Sequence, residues 1–382
     1  MKDLWLDASQ LGLLGGIFFY AFAIAQLPVG LAFDSFSPKI VVTSTTLLAA
    51  IGCFLFSIAK GFEAALAGRI LMGLGMSSVL MGSLKIFSNW FQPSEFAFVS
   101  GFMLSLGNLG ALMAATPLVL VAEALGWRKC FVVFSIFVTF STFLIILTAK
   151  DYPPEKERDR SKWNNKKISK FVFHSLALVS SNKDFWFIAI SCFFRFGVLI
   201  SIQGFLGILY LTDLGYNLQE SGNILSMISF GYIIGSPLVG RLSDVVFRSR
   251  KKVVLVALFF FAVSILPFLL KETKSQILWY IVFFGLGFFG SIGSVNFAHV
   301  KELFPHEVAG LALTGINLFS IGGMGVGQHF IGMIIGRFPK ANFGYPVETY
   351  QQAFLILFLA SIIAFICYLL PKDTNPLHQK FD

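Results

Sequence analysis

Two arginines stand where arginine is costly. Arg195 lies in the middle of the apolar run FWFIAISCFFRFGVLISIQGFLGILYL, and Arg69 lies inside another, LAGRILMGLG. A guanidinium at the centre of a membrane helix costs roughly 2.5–3.5 kcal/mol on insertion scales, so each must be paired or face a polar cavity. Gln203 follows Arg195 by eight residues, about 80° around a regular helix, so both can address one space. No Asp or Glu occupies the middle of an apolar run; Glu63, Glu95, Glu123 and Glu220 all sit at run ends. Guanidinium without a fixed carboxylate favours an anionic group, because Arg offers paired donors to carboxylate or phosphate. The expected substrate-binding residues are Arg195 and Gln203, with Tyr20, Gln26, Asn108 and Asn317 as weaker candidates. Intramembrane amides, Asn296 and Gln328 included, join helices more often than they bind ligands. His329 reads as a wet interfacial residue near the outer end of its run.

The elements that must hold these residues are membrane helices. Of 382 residues, 56% are hydrophobic and 13% charged, 46 are Phe, and the mean hydropathy is +0.78; soluble domains carry about 25% charge. Eleven apolar runs fall near residues 8–33, 39–60, 62–88, 95–122, 129–149, 184–212, 217–240, 252–270, 275–299, 307–336 and 350–370. Most are long enough to cross a hydrocarbon core of about 30 Å as helix. The fold class is an all-α polytopic membrane protein. Cys53, Cys130, Cys192 and Cys367 form no CxxC pair and read as apolar filler. The five histidines share no ligand spacing, and no HExxH or nucleophile–base pair is present. No metal, cofactor or enzymatic activity is implied.

The net charge of +9 is arranged by loop. One alternating set of loops holds nineteen Lys and Arg, the other eight, and Arg69 and Arg195 lie within runs. The positive-inside rule then assigns the basic set, with the charged stretch 150–183 and the C-terminus, to the cytoplasm. Nucleic acid is not an expected partner; the lipid bilayer is. The stretch 150–183 separates an N-terminal bundle, 1–149, from a C-terminal bundle, 184–382.

The two bundles repeat. GLAFDSFSPK at Gly30–Lys39 and GRLSDVVFRSRKK at Gly240–Lys252 share a Gly, an Asp four residues on, and then basic residues, at an offset of 210. Gly73-Leu-Gly75 and Gly285-Leu-Gly287 repeat at 212. Repeats of this kind characterise transporters. Subtracting the offset from run 184–212 places its counterpart before residue 1, so the expectation is a first bundle of five helices with one more helix upstream. The Lys and Arg of the doubled loop face phospholipid head groups or partner carboxylates. Asp34 and Asp244 are expected to accept hydrogen bonds at the start of the next helix, where the dipole favours an anion.

On these residues the chain resembles the major facilitator superfamily along essentially its whole length. Gly30, Asp34 and Lys39, then Gly240, Asp244, Arg248, Arg250 and Lys251, match the family's doubled loop motif, although Ser37 and Pro38 stand where Gly and Arg are usual. Arg69, Gly73 and Gly75 resemble its fourth-helix Arg-x-x-x-Gly-x-Gly, and Gly126-Trp127-Arg128 the turn before its sixth helix. The resemblance implies two pseudo-symmetric bundles of twelve helices, eleven of them in this sequence, and a monomer in the cell inner membrane. It also implies alternating access, with Arg69, Asp34, Asp244, Arg248, Arg250 and Lys251 in coupling or gating, and Arg195 on a cavity-lining seventh helix. The expected function is proton-coupled uptake of an organic acid or amino acid. A drug or metabolite exporter and a truncated non-transporting membrane protein are the alternatives. The family's exporter signature is absent from GNLGALMAATPL.

Overall fold

The computed structural model of the chain describes residues 4, 6–91, 99, 103, 106–107, 109–110, 112–114, 116–153, 175–270, 275–338 and 345–374. These contain helix and no strand, and ten segments are long and apolar enough to cross a membrane. Of the expected run 95–122, residues 95–98, 100–102, 104–105, 108, 111 and 115 lie outside the described residues. The chain divides into two compact units, Met1–Asn165 and Lys166–Asp382. Unit 1 holds α1 (Ala8–Ser35), α2 (Pro38–Ser57), α3 (Phe62–Met76), α4 (Val79–Trp90), α5 (Thr116–Leu125) and α6 (Trp127–Thr148). Unit 2 holds α7 (Lys183–Ser201), α8 (Gly207–Asp213), α9 (Leu218–Arg241), α10 (Arg250–Val263), α11 (Gln276–Gly290), α12 (Gly293–Glu302), α13 (His306–Gly336) and α14 (Val347–Leu369).

Local chemistry starts corresponding helices alike. Asp7 caps α1 in a reciprocal box with Gln10, and Asn217 caps α9 in the same box with Glu220, each satisfying two backbone donors. Small residues then let backbones touch, the main device available where lipid is as apolar as leucine. A Cβ at Gly73 would strike the Phe18 carbonyl, one at Gly287 the Ile228 carbonyl, and one at Gly323 the Phe193 carbonyl. Tertiary contacts of this kind seat α1 on α3, α9 on α11 and α7 on α13. The outward stripe of α6, with Val133, Ile136, Phe137, Phe140, Phe143 and Leu147 exposed at helical spacing, is a lipid-facing surface.

The packing refines the repeat register in two places. Asp34 precedes the N-cap Ser37 by three residues, whereas Asp244 precedes its N-cap Ser249 by five. The two extra residues are taken up in a π-helical turn, Leu242–Val246, and in Arg248, whose φ is +47°. Non-glycine residues rarely adopt that left-handed backbone. Further on, Gly287 rather than Gly285 occupies the place of Gly73, and the breaks at Ser77-Ser78 and Ser291-Ile292 share that register of 214. The counterpart of Arg69 in that register is Phe283, so the arginine is unrepeated.

Candidate functional site

Arg195 is brought to the heart of unit 2. It projects from α7 with no exposed surface, and its Nη1 donates to the Gly290 carbonyl at 2.5 Å. Its guanidinium carbon lies 3.8 Å from the Phe196 ring centroid, in cation–π range. Among the described residues, Nε and Nη2 have no hydrogen-bond acceptor and Arg195 forms no ion pair. Any side chain at Gly293 would meet the Tyr232 hydroxyl and come within 4.0 Å of Nη2, so the glycine keeps room beside the free donors. One turn along α12, Asn296 donates to the Cys192 sulfur at 3.1 Å while its Oδ1 stays buried without a donor. Ser229 of α9 likewise has a buried, unpartnered hydroxyl. The fixed cation thus keeps two unused donors, and among the described residues no carboxylate pairs with it.

Gln203 does not sit where a regular helix would carry it. The π turn Ile202–Leu206 interrupts the count from Arg195, so the 80° relation expected between them does not apply. Gln203 and Asn317 are half-buried, with no hydrogen bond to either side-chain amide. In unit 1, Arg69 is half-buried; its Nε donates to the Leu14 carbonyl at 2.9 Å and its guanidinium lies 5.4 Å from the Phe18 ring centroid. Gln26 is buried and donates to the Ser77 carbonyl at the break between α3 and α4, a helix-joining contact. Tyr20 is half-buried, and Asn108 lies outside the described residues.

The doubled loop departs from expectation in what caps the next helix. Asp244 turns its carboxylate to the Arg250 guanidinium instead. Arg250 also donates to Glu302 through Nε at 3.0 Å and Nη2 at 2.8 Å, and to Ser243. The start of α10 is closed by Ser249, which accepts from the Lys252 amide, and by Asp373, which accepts from the Ser249 hydroxyl at 2.5 Å and the Lys251 amide at 3.0 Å. The start of α2 is closed identically: the Ser37 hydroxyl and, at 2.7 Å, the Lys39 amide donate to Asp151. The Asp34 side chain lies outside the described residues. The Lys251 and Arg248 side chains form no ion pair.

Asp151, Asp373 and Glu302 were not among the expected residues. A Lys-Asp pair does recur after the last helix of each unit, Lys150-Asp151 and Lys372-Asp373, at an offset of 222, and it marks both capping acids. His299 was also unflagged. Its Nε2 faces the Lys372 carbonyl at 2.9 Å and its Nδ1 the Tyr368 hydroxyl at 2.7 Å. A carbonyl only accepts, so in a neutral ring Nε2 carries the proton and Nδ1 receives the tyrosine's. The histidine thus ties α12 to the end of α14 and the segment beyond it.

Comparison with known proteins places this geometry in a family. The family model of the Major Facilitator Superfamily matches residues 1–222 and 198–381. A hexuronate transporter of Bacillus subtilis is 25% identical over 372 residues, which span 93% of this chain and 83% of that protein. The sialic acid transporter NanX of Escherichia coli is 27% identical over 328 residues, 84% of this chain and 77% of its own. Among solved structures, the nucleoside transporter NupG superposes with a TM-score of 0.72 at 16% identity, covering 96% of this chain and 91% of that one, a likeness of fold. The chain belongs to the Major Facilitator Superfamily and is a multi-pass membrane transporter of small molecules, not an enzyme.

Proposed function

We propose that the protein imports a small carboxylate-bearing anion, a sugar acid, other organic acid or amino acid, together with protons and by alternating access. The observation that carries this is Arg195: a fully buried cation with two unpartnered nitrogens and no counter-charge. Burying an unpaired guanidinium costs several kcal/mol, which a bound anion would offset. Hexuronate and sialic acid, the solutes named for two relatives, both carry a carboxylate. Arg69 takes a coupling role in this reading, with the stretch 150–183 and the C-terminus on the cytoplasmic side of the cell inner membrane.

Liposomes containing the purified protein test the proposal. Radiolabelled glucuronate should accumulate when the outside is made acidic, and collapsing the proton gradient should abolish accumulation. Arg195→Gln should lower uptake at least tenfold, the scale of one charge-assisted contact of about 1.5–3 kcal/mol, while Arg195→Lys should retain part of it. Unchanged uptake of every anion in Arg195→Gln, or uptake of uridine with no uptake of anions, would overturn the reading.

A further inference from the structure

We propose that unit 2 carries a binding site for an anionic glycerophospholipid, with an acyl chain in a groove along α10 and the phosphate held by Arg248 and Lys252. The groove has a volume of about 460 Å³ and is walled by Leu242, Phe247, Val253, Val256, Phe288 and their apolar neighbours. Lys252 is the charged residue on that wall. The volume lies within the range of about 300–1,000 Å³ typical of ligand sites, yet the wall offers a water-soluble solute almost nothing to hydrogen-bond. The flanking Val245, Val246 and Phe247 are all more than half exposed, as residues facing hydrocarbon should be.

The charges at the groove identify the occupant. Lys252 stands in the first turn of α10, and Arg248 precedes that helix in its left-handed backbone conformation. Both are exposed, and among the described residues neither side chain has a hydrogen-bond or ion-pair partner. Arg250, between them in sequence, is fully engaged by Glu302, Asp244 and Ser243. The nearby carboxylates are committed as well, Asp244 to Arg250 and Asp373 to the start of α10. Two free cations beside an apolar groove at the end of a membrane helix complement a phosphodiester carrying acyl chains. Unit 1 supplies an internal contrast. At the corresponding positions, in the register of 212 that holds after the insertion, it has Phe36 and Ile40, each 58% exposed. Loop topology alone would ask for basic residues; it would not set them beside a groove.

Native mass spectrometry of the full chain, titrated with phosphatidylglycerol or phosphatidylcholine of the same acyl composition, tests the site. Phosphatidylglycerol should bind more tightly. Each basic residue near such a phosphate contributes about fivefold, so Arg248→Gln with Lys252→Gln should weaken phosphatidylglycerol about 25-fold and phosphatidylcholine, whose phosphate is offset by its own choline, by much less. Val256→Trp, which fills the groove from an exposed position, should weaken both lipids. The control pair Lys183→Gln with Lys301→Gln removes the same charge from exposed residues outside the groove and should change neither. Equal binding of the two lipids to the unaltered protein would overturn the proposal. So would an equal loss in the control pair, or no effect of Val256→Trp.

Discussion

Ser37 and Asp151 close the first turn of α2 as Ser249 and Asp373 close that of α10, yet what surrounds the two caps differs in charge. Beside the α10 cap, Arg250 and Glu302 form a bidentate pair, each side chain only 9% exposed. Asp244, Ser243 and Thr374 complete the network. Beside the α2 cap the corresponding residue is Pro38, at the first helical position. There the neighbouring helix contributes Asn89 and Trp90, which donate to the carbonyls of Asp151 and Lys150. The same backbone corner is thus held by neutral donors in one unit and by a desolvated ion pair in the other. The cap belongs to the repeat, and the ion pair is present in one copy of it.

The largest effect should come from breaking that pair. Glu302→Gln leaves the buried Arg250 guanidinium against a neutral amide and the half-exposed Asp244, and removal of the buried partner of such a pair destabilises by about 3–5 kcal/mol. Thermal unfolding of the purified protein should fall clearly below that of the unaltered chain. Replacing both residues, Arg250→Met with Glu302→Met, should restore most of the loss, because the one carboxylate left without its cation, Asp244, is half exposed to solvent. A change under about 1 kcal/mol for Glu302→Gln would mean that solvent screens the pair, as at an ordinary surface. The two corners would then be energetically alike.

Asp151→Ala and Asp373→Ala address what the corners share. Each removes a carboxylate that accepts from a hydroxyl and an amide at a helix start, and loss of a cap typically costs about 0.5–2 kcal/mol. The two losses should agree within roughly 0.5 kcal/mol and add in the double variant, the behaviour of independent sites. A clearly larger loss for Asp373 would show that the cap and the Arg250 network are coupled in unit 2.

How much of this was legible in the sequence depended on the range of the interaction. The all-helical membrane fold and the Asp34 and Asp244 repeat follow from local pattern, since an apolar run or a loop motif carries its own signature. Arg195 was conspicuous because a charge in hydrocarbon is costly wherever it points. Its acceptor, the Gly290 carbonyl, lies 95 residues away and has no side chain to betray it. The capping acids were hidden for the same reason: Asp151 reaches back 112 residues to the Lys39 amide, and Asp373 reaches 122 to that of Lys251. Gln203 was misplaced by a π turn, which rotates every later side chain without altering composition. The two extra residues before α10 show only when the N-caps Ser37 and Ser249, which pair at 212, are set against Gly30 and Gly240, which pair at 210.

Those two residues set the smallest expected effect. Pro38→Arg gives unit 1 the guanidinium that α10 has, at the loss of a proline suited to the first helical position, which costs about 0.4–1 kcal/mol through the unfolded chain. Adding Ser88→Glu, the counterpart of Glu302 in the register of 214, supplies the missing acid. The coupling energy of this pair, from a double-mutant cycle, should remain below about 1 kcal/mol, as for a solvent-screened pair. In unit 2 the π turn and the left-handed Arg248 lie in the inserted stretch, which brings Ser243 and Asp244 to the Arg250 guanidinium. Unit 1 reaches its N-cap three residues after Asp34 and has no such turn. A coupling as large as the loss from Glu302→Gln would show that the acid and base suffice without the insertion, and that Arg248 owes its conformation to some other demand.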